Sequence, residues 1–333
     1  MRWSVLVVLG SLVALGIALA RDQGEMASPD PSGDECEAAA PARCWYVSAE
    51  AAAGGDGGER KPFRMIQGAA AQAGAGDFIY LQGTFTTDHC VRATGRNGCA
   101  VLTRSQDGEP QAPIVLTVWP GRDALIKGDF EEQTNLALMV TSSYWVVRGL
   151  TIETGSIVIN PGLLGVVVEE NHVSKAVAPA GNFGLIRVLG GTSPTHDSII
   201  IRNNHVSDLY GCGSDLRGCT AGTQTPWNAY VDIHHAGIKI QGSNSYILID
   251  GNVIERVVFL VSVKRPQGYG PYLWVNNQGR QAQGLGTCNG VNQVFEANLW
   301  EAVGSRGGNS CQSRRGKRVR QSPRPPRPRG SDR

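Results

Sequence analysis

The chain has no CxxC pair and no histidines gathered at ligand spacing, so its eight cysteines do not read as a zinc site. It has no apolar run of spanning length beyond residue 20, which leaves no stable membrane span once the first residues are removed. It has no linker between residues 129 and 298, so one elongated domain is expected there rather than two. Residues 305–333 are nearly free of apolar side chains and cannot build a core. That tail also lacks aromatic residues between its charges, so it offers no stacking platform for bases, and no nucleic-acid partner is expected.

The ends differ sharply from the middle. Met1-Arg2, an apolar stretch over residues 3–20 and the small-x-small end Ala18-Leu19-Ala20 read as a signal peptide at 1–20, cut after Ala20. The competing reading is an uncleaved anchor. Cleavage makes the protein secreted or extracytoplasmic, and the cysteines fit that setting. Six of them form close pairs: Cys36 with Cys44, Cys90 with Cys99, and Cys212 with Cys219. Each pair closes a loop short enough for a disulfide. Cys288 and Cys311 remain, with their pairing open.

The formal charge of +2 hides an asymmetry. Residues 305–333 hold ten Arg or Lys against one Asp, so this disordered basic Arg/Pro-rich tail carries +9 and leaves −7 on the rest. It reads as a polyanion-binding arm or as an unstructured extension, including a shifted reading frame. Residues 21–43 form an N-terminal segment, and 44–304 form the folded domain.

Within that domain one slot recurs, at Asp129, Leu150, Asn171, Asn204, Asn252 and Asn298. The steps are 21, 21, 33, 48 and 46 residues. An apolar residue stands three positions earlier (Ile126, Val147, Val168, Ile201, Ile249, Phe295), and often another two later (Ile152, Val173, Val206, Ile254, Trp300). A period in this range means stacked units, because one unit cannot bury its own apolar face. The residues are strand formers, so the fold is all-β, each unit a turn of β-coil. An Asn at such a slot reads as a ladder hydrogen-bonded between coils rather than as an active site.

Upstream, Tyr46-Val47 reads as a short strand followed by a Gly-rich loop. Pro62 opens a helix with Phe63, Ile66, Ala69, Ala70 and Ala73 on one face, and FIYLQGTF is a strand. The amphipathic helix suits the end of a solenoid, which must be covered. These parts resemble the start of pectin-lyase-like proteins, whose pattern runs P-F-x-T-I-x-x-A, then G-D-x-I-x-L-x-x-G-x-Y. Pro62-Phe63-Arg64-Met65-Ile66 and Gly76-Asp77-Phe78-Ile79-Tyr80-Leu81 match, with Met65 in place of Thr and Ala75 in place of Pro. The resemblance covers about residues 44–300. It implies a right-handed parallel β-helix of about 7–8 coils with an N-terminal capping helix. It is specific for fold and weak for reaction.

The ruler also places a second strand per coil: Leu136-Ala137-Leu138, Ile157-Val158-Ile159, Ile186-Arg187-Val188, Ile238-Lys239-Ile240 and Val261-Ser262-Val263. Outer residues of each triplet point inward, so an exposed column is expected to read Ala137, Val158, Arg187, Lys239, Ser262. Coils stack about 4.8 Å apart. Arg187 and Lys239 should therefore be neighbours, a contact that disfavours charge on Lys239. The largest insertion, 27 residues more than one coil needs, lies beside them between Asn204 and Asn252. It supplies Asp208, Asp215, Trp227, Tyr230, Asp232, His234 and His235, while the next coil adds Lys264 and Arg265.

The resemblance to β-helix lyases implies a Lys or Arg base, often with Ca²⁺ on the substrate carboxylate. On that reading the protein is polysaccharide-active and cleaves uronic-acid-containing glycans by β-elimination. Lys239 is the base, Arg187 and Arg265 bind the carboxylate, Lys264, Trp227, Tyr230 and His235 contact substrate, and Asp208, Asp215 and Asp232 hold Ca²⁺. The sequence has no Asp-Asp pair for hydrolysis of the polygalacturonase type. Each residue also has a plainer reading: Lys239 as a solvated lysine, the aspartates as turn formers, His234-His235 as one core and one surface side chain. The competing class is a non-catalytic surface or glycan-binding β-helix. A monomer is expected.

Overall fold

A computed structural model of the protein describes residues 36, 42–93, 98–102, 105–178, 183–190, 198–211, 224–228, 235–242, 246–264, 272–286, 293–303 and 319–320. The expected signal peptide, Asp215, Tyr230, Asp232, His234, Arg265 and most of the basic tail lie outside these residues. Among the described residues no helix is long and apolar enough to cross a membrane.

The described strands stack in three columns, and two of them, Phe78–Phe85 and Val253–Lys264, run unbroken from one column into the next. Column one holds nine parallel strands, from Cys44–Ser48 through Ile114–Val118, Val167–Glu169 and Ile247–Asp250 to Gln293–Glu296. Column two includes Ala124–Lys127, Thr151–Glu153, His172–Ser174, His205–Ser207 and the first part of Val253–Lys264. Column three includes Asn135–Val140, Gly155–Ile159, Gly184–Leu189, Ala236–Gln241 and the last part of Val253–Lys264. Arg92–Ala93 pairs antiparallel with Gly98–Leu102.

Alternation within each strand builds the core. Ile157, Ile186, Ile238 and Val261 align in register and are fully buried, as are Ile159, Val188, Ile240 and Val263 two positions on. Each such side chain contributes about 1.5–3 kcal/mol of transfer free energy.

The corner between columns one and two carries the asparagine ladder. Asn171, Asn204, Asn252, Asn277 and Asn298 follow one another, each Oδ1 accepting the backbone N–H of the preceding rung. Each rung from Asn171 to Asn277 also donates its Nδ2 to the next Oδ1 at 2.9–3.0 Å. The residue before each rung has positive φ: Glu170 (56), Asn203 (54), Gly251 (63), Asn276 (53) and Ala297 (52). A left-handed residue costs about 1–2 kcal/mol outside glycine, and the ladder's buried hydrogen bonds offset it.

Two slots of the sequence ruler need correction. The step of 46 residues conceals a coil, because Asn277 lies 21 residues before Asn298 and is a rung. Asp129 is not a rung: Ile126 pairs with Ile152, so Ala124 is the residue aligned with Leu150. Ile126 is therefore the apolar residue two positions after its slot, not the one three before it.

The N-terminal end is closed by the helix Ile66–Ala70, with Ile66, Ala69, Ala70 and Ala73 buried. It starts later than Pro62 because Phe63 is taken up as strand: its N–H donates to the Tyr46 carbonyl and its carbonyl accepts from Ser48.

Of the three close cysteine pairs, two are disulfides in the structure, Cys36 with Cys44 and Cys90 with Cys99. The third expected disulfide, between Cys212 and Cys219, is not among the bonds of the described residues. Cys212 lies outside the described residues, and Cys219 lies outside them as well, both on the insertion. Cys288 and Cys311 also fall outside them. The bridges that the structure does hold both lie at the N-terminal end of the stack.

Candidate functional site

The two expected cations meet as the ruler requires. Arg187 is the register partner of Lys239, flanked by Val158 on one side and Ser262 on the other. Ala137 does not continue this row; Met139 does, because the Asn135–Val140 strand is shifted two residues from the expected alignment. The next outward row holds Leu189, Gln241 and Lys264. Arg187 Nη2 donates to Gln241 Oε1 at 3.4 Å, and its guanidinium lies 5.9 Å from the centre of the Phe183 ring.

The expected exposure of this row does not hold. Lys239 is 0 % exposed and Ser262 1 %, although both alternate with core residues and point away from the coil interior. Ala236, Val258 and Phe259 form a separate buried cluster on the same outer side. Alternation reports which way a side chain points, not whether a further layer covers it.

Burial pulls the Arg187 guanidinium below its ordinary value. Among the described residues no carboxylate lies within ion-pairing distance of it, and its buried Nε has no hydrogen-bond partner. A half-desolvated guanidinium with open donor capacity favours an incoming carboxylate.

Space for the pair comes from Gly184. A Cβ there would stand 2.8 Å from Lys239 Cβ and 3.2 Å from Arg187 Cγ. The first of these atoms sits at the root of its side chain and cannot swing aside. Gly184→Ala is therefore expected to destabilise the chain by about 1–3 kcal/mol in urea denaturation. A loss below about 0.5 kcal/mol contradicts the close packing.

The other expected site residues divide. His235 is fully buried at the entrance to Ala236–Gln241, and Lys264 is half-buried in register with Gln241. Trp227 is half-exposed, and its carbonyl accepts from Gln283 Nε2.

Asp208 does not fit a calcium ligand. Arg256 donates to both of its oxygens, at 2.6 and 2.9 Å, and Ser207 Oγ donates to Oδ2 at 2.9 Å. Burial pushes the Asp208 carboxyl up, but these hydrogen bonds outweigh it and hold the group below its ordinary value. Among the described residues no three His, Cys, Asp or Glu side chains gather at metal-holding distance. The described part of the expected Ca²⁺ set is thus committed to an ion pair.

Sequence reasoning missed a polar face on column two. His172 and His205 are register partners whose rings stack 4.7 Å apart, 10° from parallel. His205 Nε2 lies 3.2 Å from Glu255 Oε1, while Arg256 and Arg280 both donate to Glu255. Arg256 thereby ties Glu255 to Asp208, at the base of the insertion. The network fixes the stem from which the insertion leaves. The repeated Asn-His-Val at 171–173 and 204–206 is the signal that marks this face.

Burial first, and then the neighbouring His205, lowers the His172 pKa below the ordinary 6.5. The folded state therefore binds fewer protons there than the unfolded chain, and stability falls as pH drops through about 6.5. His172→Gln is expected to remove that part of the slope in denaturation midpoints between pH ~7 and ~5. The further loss at more acid pH should remain, because hydrogen bonds hold the Asp208 and Glu255 carboxyls below their ordinary values and that stabilisation fades as pH falls past those ordinary values. An unchanged slope between ~7 and ~5 contradicts the assignment.

No family model matches the chain, and no curated protein matches it. Solved structures do. A rhamnogalacturonan lyase aligns over 78% of this chain and 62% of its own, at 14% identity and TM-score 0.38. The pectate lyase Pel9A aligns over 78% and 59%, at 15% and 0.42. A GH136 lacto-N-biosidase from Eubacterium ramulus aligns over 78% and 57%, at 11% and 0.45. The chain is a right-handed parallel β-helix. It spans less than two thirds of the length of these three proteins, and the likeness concerns the fold alone. The chemistry of this β-helix must therefore be argued from its own residues, of which the Arg187–Lys239 pair is the most distinctive.

Proposed function

We propose that the β-helix is an exported, polysaccharide-active protein that cleaves uronic-acid-containing glycans by β-elimination on the outer face of column three. The observation that carries this reading is the register pairing of Arg187 with Lys239, Arg187 having no carboxylate partner among the described residues. Arg187 takes the uronate carboxylate. Lys239, in its neutral form, removes the proton on the carbon next to that carboxylate. The electron pair passes into the carboxylate as an enolate, which Arg187 stabilises. It then returns to form the C=C bond as the glycosidic oxygen leaves from the next carbon and takes a proton from water, while Lys239 gives the proton it removed back to solvent. No metal enters these steps. The two disulfides support a place outside the cytoplasm.

A panel of uronans (pectate, alginate and glycosaminoglycans) incubated with the protein should yield an unsaturated product that absorbs in the ultraviolet. No such product from any member overturns the reaction. The complete burial of Lys239 favours a second reading, in which the same face binds uronans without cleaving them. That reading predicts retention of an acidic glycan with no new ultraviolet absorbance. Calcium dependence through Asp208, Asp215 and Asp232 would appear as loss of product on chelation, and the Asp208–Arg256 pair speaks against Asp208's part in it.

A further inference from the structure

Lys239 points away from the coil interior and is nevertheless sealed, so something on the outer side must cover it. Residues 224–228 of the insertion cross the coils at three tie points. Thr225 and Gly211 exchange backbone hydrogen bonds of 2.7 and 2.9 Å. Gln224 Nε2 donates to the carbonyls of Phe130 and Glu131, far back along the stack. Gln283 Nε2 donates to the Trp227 carbonyl, two coils beyond the one that carries Ala236–Gln241. Gln283 stands between Ala282 and Gly284, the partners of Val257 and Phe259, and so beside the outer cluster of Ala236, Val258 and Phe259. Phe259 in turn pairs with Ala236, three residues before Lys239.

We infer that residues 224–228 are a strap that closes the Arg187–Lys239 face and must lift before a glycan chain reaches Lys239. This rests on the proposed reading of that face as a glycan site. Three features make the strap releasable. Two of its ties are single side-chain amides donating to carbonyls, groups that water replaces readily. Arg256 holds the stem at Asp208 independently of the strap, so the strap can lift without the stem unwinding. The buried Nε of Arg187 has no hydrogen-bond partner among the described residues, which leaves a donor for what enters when the cover lifts.

The test is amine acylation of the full chain with an N-hydroxysuccinimide acetate, followed by peptide mass mapping. In the unmodified protein Lys239 should react about 100-fold or more slowly than exposed Lys61, Lys127 and Lys175. Removing both amide ties, Gln224→Ala with Gln283→Ala, should raise the Lys239 rate about tenfold or more while the three reference lysines keep theirs. Lys239 reacting as fast as Lys175 in the unmodified chain overturns the cover. A Lys239 rate within about twofold of the unmodified one in the double variant overturns the role of the strap.

Should the double variant fold poorly, the unmodified chain answers the same question in urea. Lys239 should become reactive below the transition seen by circular dichroism. A rise that coincides with that transition counts against the strap. Neither readout needs turnover, so a strap that lifts in a protein that cleaves no uronan leaves this inference standing and removes the reaction.

Discussion

Asn204→Ala is expected to cost about 3–5 kcal/mol of stability, near the upper end of single substitutions. The side chain is buried and donates Nδ2 to Val168 O, Arg202 O and Asn252 Oδ1 at 2.9–3.0 Å. Its Oδ1 accepts both the backbone N–H and the side-chain amide of Asn171 at 3.0 Å. Alanine would strand those two donors and the Val168 carbonyl away from water, at about 1–3 kcal/mol each before relaxation. The loss should also spread along the stack, because a broken rung weakens the interface between adjacent coils. Urea denaturation followed by circular dichroism checks it. A cost under about 1 kcal/mol would mean that the ladder decorates the corner rather than holds it.

Lys239→Ala is expected to lower kcat on a cleaved uronan by about 10²–10⁴-fold, the usual worth of a positioned base, and to leave KM within about threefold. The split matters because Lys239 is also packed against Gly184 and Arg187. A lysine with only a structural part would lower the melting temperature and leave kcat on the folded fraction intact. Kinetics on uronan with protein checked by thermal denaturation separate the two. An unchanged kcat removes Lys239 from the chemistry.

Much of this was legible in the residues. A coil must return to the same corner with an apolar side chain each time, so the 21-residue spacing registers most of the ladder and aligns Arg187 with Lys239. The misplaced slot at Asp129 arose because Ile126 suits either side of a corner equally well, and only pairing with Ile152 decides between them. Asn277 was visible, 21 residues before Asn298 and three after Trp274, but lay hidden inside a step taken as one. The closure over Lys239 was not legible. It depends on how the insertion lies across the coils, through ties such as Gln224 to Phe130 that join residues 94 apart in sequence. The engagement of Asp208 by Arg256 was equally hidden, since a carboxylate in a turn looks the same whether it meets a cation or solvent.

The central claim is that the Arg187–Lys239 face reads a uronate carboxylate, and calorimetric titration with oligogalacturonate and oligomannuronate tests it most directly. At least one of these acidic oligomers should bind, its fully methyl-esterified form should bind weakly, and Arg187→Gln should weaken the acidic oligomer about tenfold or more. Equal binding of acid and ester, or an affinity indifferent to Arg187→Gln, would contradict it.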